Sequence, residues 1–230
     1  LQHMSWQDAM DNYGSDRPDI RFDLQLCDVS DLAAKTDFKV FTSTLESGGV
    51  VKAMRVPHGA EKLTRKITDG YAEIAKTYGA GGLPVTKFQG GEFVTGVAKF
   101  VEPIKDELVQ TMGLEDGDLV LFGVGSFRVA CTSLGQVRLQ VGEDMGLIPE
   151  DVFKGLWVLD FLMFDWDEDR QRWVSEHHPF TAPLEKDLHL LESDPGSCIS
   201  SRYDLVINGS EVAGGSIRIH NPEIQSKVFA

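Results

Sequence analysis

Residues 203–220 read Y-D-L-V-I-N-G-S-E-V-A-G-G-S-I-R-I-H, and this stretch decides how the end of the chain folds. An apolar, strand-like run leads into Asn208-Gly209, the strongest short-range signal for a two-residue hairpin turn. We therefore predict two antiparallel strands joined at this turn. The predicted register has two cross-strand pairs beside the turn, Ile207 with Ser210 and Val206 with Glu211.

The predicted hairpin also brings two acidic side chains together. In this register Asp204 lies on the same face as Glu211, one diagonal step away, with Cβ atoms about 7–8 Å apart. Converging carboxylates suit a hard cation such as Mg²⁺ and the phosphates that it carries. The spacing alone leaves a second interpretation open, in which both acids lie on a solvent-facing hairpin and only keep it soluble.

Two further motifs lie elsewhere in the chain, G-S-D-R-P-D at residues 14–19 and H-H-P-F-T-A-P at residues 177–183. The hairpin stretch resembles the pattern of the class II synthetases for aspartate, asparagine and lysine. Together with the other two motifs, the chain resembles bacterial-type aspartyl-tRNA synthetases over nearly its whole length after Met4. Residues 40–53 and 134–142 resemble the insertion domain that these enzymes share with the B subunit of the tRNA-dependent amidotransferase.

The resemblance implies an ATP-dependent ligase that joins L-aspartate to tRNA, with ATP and Mg²⁺ as cofactors. It assigns ATP and metal binding to Asp204 and Glu211, and L-aspartate binding to His177 and Arg218. The planar guanidinium of Arg218 suits bidentate recognition of the substrate's side-chain carboxylate. Because adjacent residues of an extended chain point to opposite sides, we expect His177 to enter the pocket and His178 to pack elsewhere or face water.

Three details of the sequence bear on the local geometry of this site. Strict alternation along the second strand would aim Arg218 away from the Asp204 face, and a bulge or bend at Gly214-Gly215 would correct this. Ala213 replaces the first of the family's three glycines, so its methyl group would interfere if that position required positive φ. Leu162 stands where the family usually has proline, which we expect to loosen the preceding strand end slightly.

The pattern of elements predicts an α+β fold. The resemblance implies that a partial class II antiparallel sheet is interrupted by an α/β sandwich insertion domain. We expect the insertion at residues 38–150, between catalytic-domain segments at 5–37 and 151–230. Residues 1–4 read as a remnant of cloning and are left out of the predicted fold. The principal predicted strands lie at residues 20–26, 50–56, 83–88, 119–124 and 156–164, and the principal helices at 5–13, 65–78, 104–112, 129–141 and from Pro222 onward.

Three motifs that class II catalysis requires do not occur in the sequence: the dimer-forming helix, the strand pair with an ATP-gripping arginine, and the glycine-rich segment ending in arginine. We therefore interpret the chain as a piece of a homodimeric parent enzyme and assign no catalytic residue within it. For the piece alone, a monomeric state is one possibility. We predict that it makes no aspartyl-adenylate. Two alternatives remain, a non-catalytic module whose insertion domain binds tRNA or a protein, and a fragment that only folds.

The charge balance argues against a general nucleic-acid binder, because 36 acidic residues against 22 basic ones give a net charge of −14. Contacts with tRNA must then be local or come from other parts of the parent. One basic cluster allows either a tRNA contact or an unspecific solvated surface: Lys52, Arg55, Lys62, Arg65 and Lys66.

Cysteine usage and hydropathy indicate the cellular compartment. Cys27, Cys131 and Cys198 are odd in number and lack zinc-ligand spacing, so we expect free thiols, buried or half-buried, in a reducing cytoplasm. No apolar run approaches the roughly 18 residues of a membrane span, so we expect no membrane partner.

Overall fold

The computed structural model of this chain describes residues 1–229, and their contacts separate into two compact units. The central unit contains residues 10–15 and 21–152. The terminal unit contains residues 1–9, 16–20 and the chain from Phe153 onward. Residues 21–37 therefore group with the central unit, whereas the sequence had placed them with the catalytic segments. The assignment of the two units to insertion and catalytic domains stays a prediction.

The strands were largely expected, but the first of them is formed by residues 2–5, of which 2–4 were predicted to lie outside the fold and Ser5 to begin a helix. In chain order the strands are β1 (Gln2–Ser5), β2 (Leu26–Asp28), β3 (Val50–Val56), β4 (Val85–Gln89), β5 (Glu92–Val94), β6 (Asp118–Gly125), β7 (Gly155–Leu159), β8 (Phe164–Asp167), β9 (Arg172–Ser175), β10 (Arg202–Ile207) and β11 (Ser210–Ser216).

The helices complete an α+β fold, as predicted, and none within residues 1–229 is long and apolar enough to cross a bilayer. They are α1 (Trp6–Tyr13), α2 (Ser30–Ala33), α3 (Lys39–Glu46), α4 (Gly59–Lys62), α5 (Arg65–Thr77), α6 (Ala98–Val101), α7 (Lys105–Met112), α8 (Phe127–Asp144), α9 (Leu190–Ser193) and α10 (Pro222–Phe229). Short 3₁₀ turns occur at Glu102–Ile104, Glu185–Asp187 and Pro195–Ser197.

The central unit is a sheet with helices on both faces. Its strand order is β2-β3-β6-β4-β5, and every neighbouring pair is antiparallel. Strand β6 lies in the middle and is buried on both faces, so its side chains alternate between two cores. Val120 and Phe122 contribute to the core that also contains Phe41 of α3, and Leu121 contributes to the core that also contains Tyr71 of α5.

The strand predicted at residues 20–26 is wrong, since only Leu26–Asp28 forms one. Leu24 has φ of +99°, a conformation that no regular strand contains. The carbonyl oxygens of Phe22 and Leu24 accept hydrogen bonds from the buried guanidinium of Arg138, at 2.8 and 2.9 Å. This side chain of α8 takes the place of the partner strand that a longer β2 would need.

The terminal unit contains a four-stranded sheet in the order β1-β7-β10-β11. Strand β1 runs parallel to β7, and the other neighbours are antiparallel. The predicted strand at residues 156–164 is wrong in length: β7 ends at Leu159, and Asp160 has φ of +57°. Aspartate tolerates this left-handed conformation better than most residues, so the chain turns there before β8 begins.

The predicted hairpin at Asn208-Gly209 is confirmed. Both turn residues have positive φ, +51° and +78°, as the tight turn requires. The pairs Ile207 with Ser210 and Val206 with Glu211 form as predicted.

The bulge in this hairpin lies earlier than Gly214-Gly215, the place that the sequence suggested. Leu205 pairs with Ala213 and Val206 with Glu211, so Val212 is the extra residue. The shift places Gly214 opposite Asp204, and the absence of a side chain at Gly214 leaves room for the aspartate carboxylate. The methyl group of Ala213 lies opposite Leu205, and Ala213 does not have positive φ.

Candidate functional site

A pocket of about 180 Å³ opens beside the β10–β11 hairpin in the terminal unit. All four predicted site residues line this pocket: His177, Asp204, Glu211 and Arg218. They come from a loop, from both strands of the hairpin and from the segment after β11. The volume is below the roughly 300–1,000 Å³ of pockets for drug-sized ligands, so the pocket suits a smaller ligand.

Asp204 is the innermost charged group of the pocket, with only 3% of its surface exposed. Its carboxylate accepts two hydrogen bonds from the guanidinium of Arg202. Nε of Arg202 lies 3.1 Å from Oδ1 and Nη2 lies 2.6 Å from Oδ2. The guanidinium also lies over the ring of Phe161, 4.6 Å from its centroid. Asp204 is therefore a buried carboxylate that is already neutralised by a bidentate partner within the same strand.

Arg202 is the main site residue that sequence reasoning missed. A signal was present, because residues two apart on a strand point to the same face, and Arg202 precedes Asp204 by two. Nothing in the family pattern drew attention to it.

Glu211 joins Asp204 at the bulged part of the hairpin but is much more accessible. Its side chain is 45% exposed, and its Oε2 lies 3.9 Å from Nη2 of Arg202. Both carboxylates converge on Gly214, where a Cβ atom would lie 2.5 Å from Oδ1 of Asp204 and 2.9 Å from Oε1 of Glu211. The structure therefore brings the two predicted acids together.

The residues present fit Mg²⁺ only in part. Carboxylate oxygens are the ligands that Mg²⁺ prefers, together with retained water. Both oxygens of Asp204, however, are engaged by Arg202, and no group of three or more His, Cys, Asp or Glu side chains within residues 1–229 is arranged to hold a metal. With Arg202 in this position, the charge of Asp204 is already balanced, so it is a weaker metal ligand than a free carboxylate.

The histidine pair differs from the expectation, because both rings line the pocket. The ring of His177 contacts Phe161 edge-on, with 5.4 Å between centroids. Partial burial, and then the charge of Arg202, lower the pKa of His177 from its ordinary value, so the ring is neutral at pH 7. His178 packs against Phe180 and accepts a hydrogen bond at Nδ1 from the Phe180 amide, at 3.2 Å.

Arg218 reaches the pocket because β11 ends at Ser216, so strand alternation no longer sets its direction. The backbone at residues 217–219 pairs with the loop at 180–182, and Arg218 lies opposite Thr181. The Thr181 hydroxyl donates to Oγ of Ser216 at 3.2 Å. Among residues 1–229 no carboxylate forms an ion pair with Arg218, so its guanidinium is available to a ligand.

None of residues 14–19 lines the pocket, but Asp19 lies beside the hairpin turn. Asp19 is buried. A Cβ atom added to Gly209 would lie 3.1 Å from the Cβ atom of Asp19. Gly209 therefore permits the turn to pack closely on this loop.

The basic cluster predicted at residues 52–66 is not one charged surface. Lys52 is 2% exposed and forms ion pairs with Asp11 at 2.5 Å and Asp28 at 3.2 Å. Arg55 forms an ion pair with the buried Asp118, at 2.5 Å. These two cations are neutralised within the central unit, so only Lys62, Arg65 and Lys66 remain exposed from the predicted cluster, and a tRNA contact there stays a prediction.

Comparison with known proteins gives one match to a domain family and several matches to whole proteins. Residues 41–134 match the GAD domain. The whole chain is similar to aspartate–tRNA ligases: it is 47% identical to that of Halalkalibacterium halodurans over 99% of the chain, and 46% identical to that of Limosilactobacillus fermentum over 98%. It is 44% identical over its full length to the aspartate–tRNA(Asp/Asn) ligase of Bacillus subtilis. The chain covers only 38–39% of the length of these relatives. The resemblance predicted from the sequence motifs is confirmed.

Proposed function

Because the chain corresponds to a segment of bacterial aspartate–tRNA ligases, we propose that it is part of an enzyme that activates L-aspartate with ATP and transfers it to tRNA. The observation that carries the proposal is the convergence of His177, Asp204, Glu211 and Arg218 on one small pocket. A concave pocket with a few convergent polar and charged groups is the usual form of a ligand site. In this proposal the terminal unit is part of the class II catalytic sheet, and the central unit is the insertion that interrupts it.

Arg218 is proposed to select aspartate. Its guanidinium has no carboxylate partner among the described residues, and it can donate two parallel hydrogen bonds to the side-chain carboxylate of the substrate. Asparagine presents an NH₂ group in place of one oxygen, so one guanidinium donor would face another donor. The neutral ring of His177 lies at the same pocket and is proposed to orient the bound amino acid.

ATP is proposed to bind on the side of the pocket where Glu211 is exposed. The reaction joins the α-carboxylate of aspartate to the α-phosphate of ATP and releases pyrophosphate. Mg²⁺, when bound, neutralises negative charge on the phosphate oxygens. The parent enzyme is proposed to be a cytoplasmic homodimer with tRNA as its second substrate.

Pyrophosphate exchange into ATP tests the proposal in the protein expressed from its own gene. We expect exchange that depends on L-aspartate and not on L-asparagine. Arg218→Lys should lower kcat/KM for aspartate about 30-fold or more, because a lysine cannot replace a bidentate pair. Arg65→Lys is the matched control, since Arg65 is 94% exposed outside the pocket. Absence of aspartate-dependent exchange would contradict the proposal.

The 230-residue chain alone should give no exchange above blank, because the class II motifs are not in its sequence. A purified chain with clear turnover would refute this part of the proposal without affecting the assignment of the aspartate site.

A further inference from the structure

We propose that Arg202 is the resident counter-ion of Asp204 and competes with a divalent cation for this carboxylate. The inference deepens the proposed function and rests on it only for the choice of Mg²⁺ as the physiological ion. Arg202 lies outside the family motifs. In this inference it sets the metal concentration that is needed to fill the site.

The carboxylate of Asp204 is already occupied by the guanidinium of Arg202. Each of its two oxygens accepts a hydrogen bond from a different nitrogen of Arg202, at 3.1 and 2.6 Å. The rest of the carboxylate is buried, because only 5% of the side chain is exposed. A cation that coordinates Asp204 must therefore either displace the guanidinium or use the remaining lone pairs of the same two oxygens, close to its positive charge. Two positive charges at these distances repel each other strongly.

The guanidinium of Arg202 is held in this position by a second contact besides its ion pair with Asp204. Arg202 is only 17% exposed, and its guanidinium lies over the face of Phe161. A desolvated cation over an aromatic ring is held by the ring quadrupole in addition to its ion pair. Displacement of Arg202 would break the ion pair and the ring contact together, so a cation must compensate for both.

Glu211, by contrast, stays accessible. Its distance of 3.9 Å from Arg202 is too long for a hydrogen bond, and nearly half of its side chain is exposed. Glu211 can therefore take a hydrated cation by one carboxylate, but a single carboxylate binds Mg²⁺ weakly. Metal gains Asp204 as a second ligand only in competition with the charge of Arg202.

The test measures metal binding alone, with Mn²⁺ as a paramagnetic probe and free Mn²⁺ quantified by EPR. The 230-residue chain is used without ATP or aspartate. The wild-type chain should bind Mn²⁺ with Kd weaker than about 10⁻⁴ M. Arg202→Met should bind about tenfold or more tightly than wild type, because the lost charged hydrogen bonds no longer compete. Adding Asp204→Asn to Arg202→Met should remove the gain.

Arg170→Met is the matched control, because Arg170 also pairs with an aspartate, Asp167 at 3.3 Å, but lies outside the pocket. It should leave Mn²⁺ affinity unchanged. Equal affinities for wild type and Arg202→Met would overturn the proposal. If Arg202→Met does not fold, Arg202→Gln replaces it, because it removes the same positive charge but keeps a polar side chain, and an affinity equal to wild type would again overturn the proposal. Since neither ATP nor aspartate is present, the result is separate from the exchange assay.

Discussion

Gly214→Ala probes the arrangement on which the pocket is built. Gly214 does not have positive φ, so the substitution imposes no backbone strain and tests only the space beside the glycine. The new Cβ would lie 2.5 Å from Oδ1 of Asp204. An ordinary carbon–oxygen contact is at least about 3.4 Å, so the carboxylate must retreat by about 0.9 Å.

The cost follows from the contacts that hold this carboxylate. Oδ1 already accepts from Nε of Arg202 at 3.1 Å, which leaves little slack before the hydrogen bond is lost. A hydrogen bond to a charged group contributes about 1.5–3 kcal/mol. Alanine restores about 0.4–1 kcal/mol by restricting the unfolded chain. We therefore expect the free energy of unfolding of the terminal unit to fall by about 1–2 kcal/mol.

Tryptophan fluorescence in urea measures this loss selectively. All four tryptophans of the chain, at positions 6, 157, 166 and 173, belong to the terminal unit. With m of about 2 kcal/mol per M, the midpoint should fall by about 0.5–1 M. Val212→Ala, on the same strand with its valine 53% exposed, should change stability by less than about 0.5 kcal/mol. A Gly214→Ala chain as stable as wild type would show that the carboxylates do not converge on this glycine.

Three further predictions concern other parts of the chain. Arg138→Met should lower the urea midpoint of far-UV circular dichroism, at a cost of about 2–5 kcal/mol, because two buried carbonyl groups lose their donor. Tyr71→Phe should cost about 1–2 kcal/mol in the same measurement, since its hydroxyl donates to Asp144 at 2.6 Å. Ellman's reagent at pH 8 should modify Cys27 first, because burial raises the pKa of Cys131 to about 12 and of Cys198 to about 11. Simultaneous reaction of all three native thiols, or unchanged midpoints, would contradict these expectations.

Local chemistry explains why the hairpin could be predicted from its sequence. Asn208-Gly209 can adopt two consecutive positive φ values at low cost, and this determines the turn and the first two cross-strand pairs. The bulge at Val212 could not be located in the same way. It depends on the fit of Asp204 and Arg202 around Gly214, which only the folded sheet specifies.

Long-range partners explain the predictions that were wrong. The run at residues 20–26 has strand-like alternation, but the guanidinium of Arg138, more than a hundred residues later, takes its carbonyl groups. Lys52 looks like part of a basic surface in sequence, yet Asp11 and Asp28 meet it inside the central unit. Such pairings depend on tertiary structure, and neither periodicity nor spacing reports them.

Equilibrium binding of L-aspartate to the protein expressed from its own gene tests the central claim most directly. If Arg218 grips the side-chain carboxylate, Arg218→Lys should raise the Kd for aspartate about 30-fold or more, while Arg65→Lys leaves it unchanged. Equal affinity of wild type and Arg218→Lys would contradict the account, because the pocket would then hold aspartate without the residue proposed to select it.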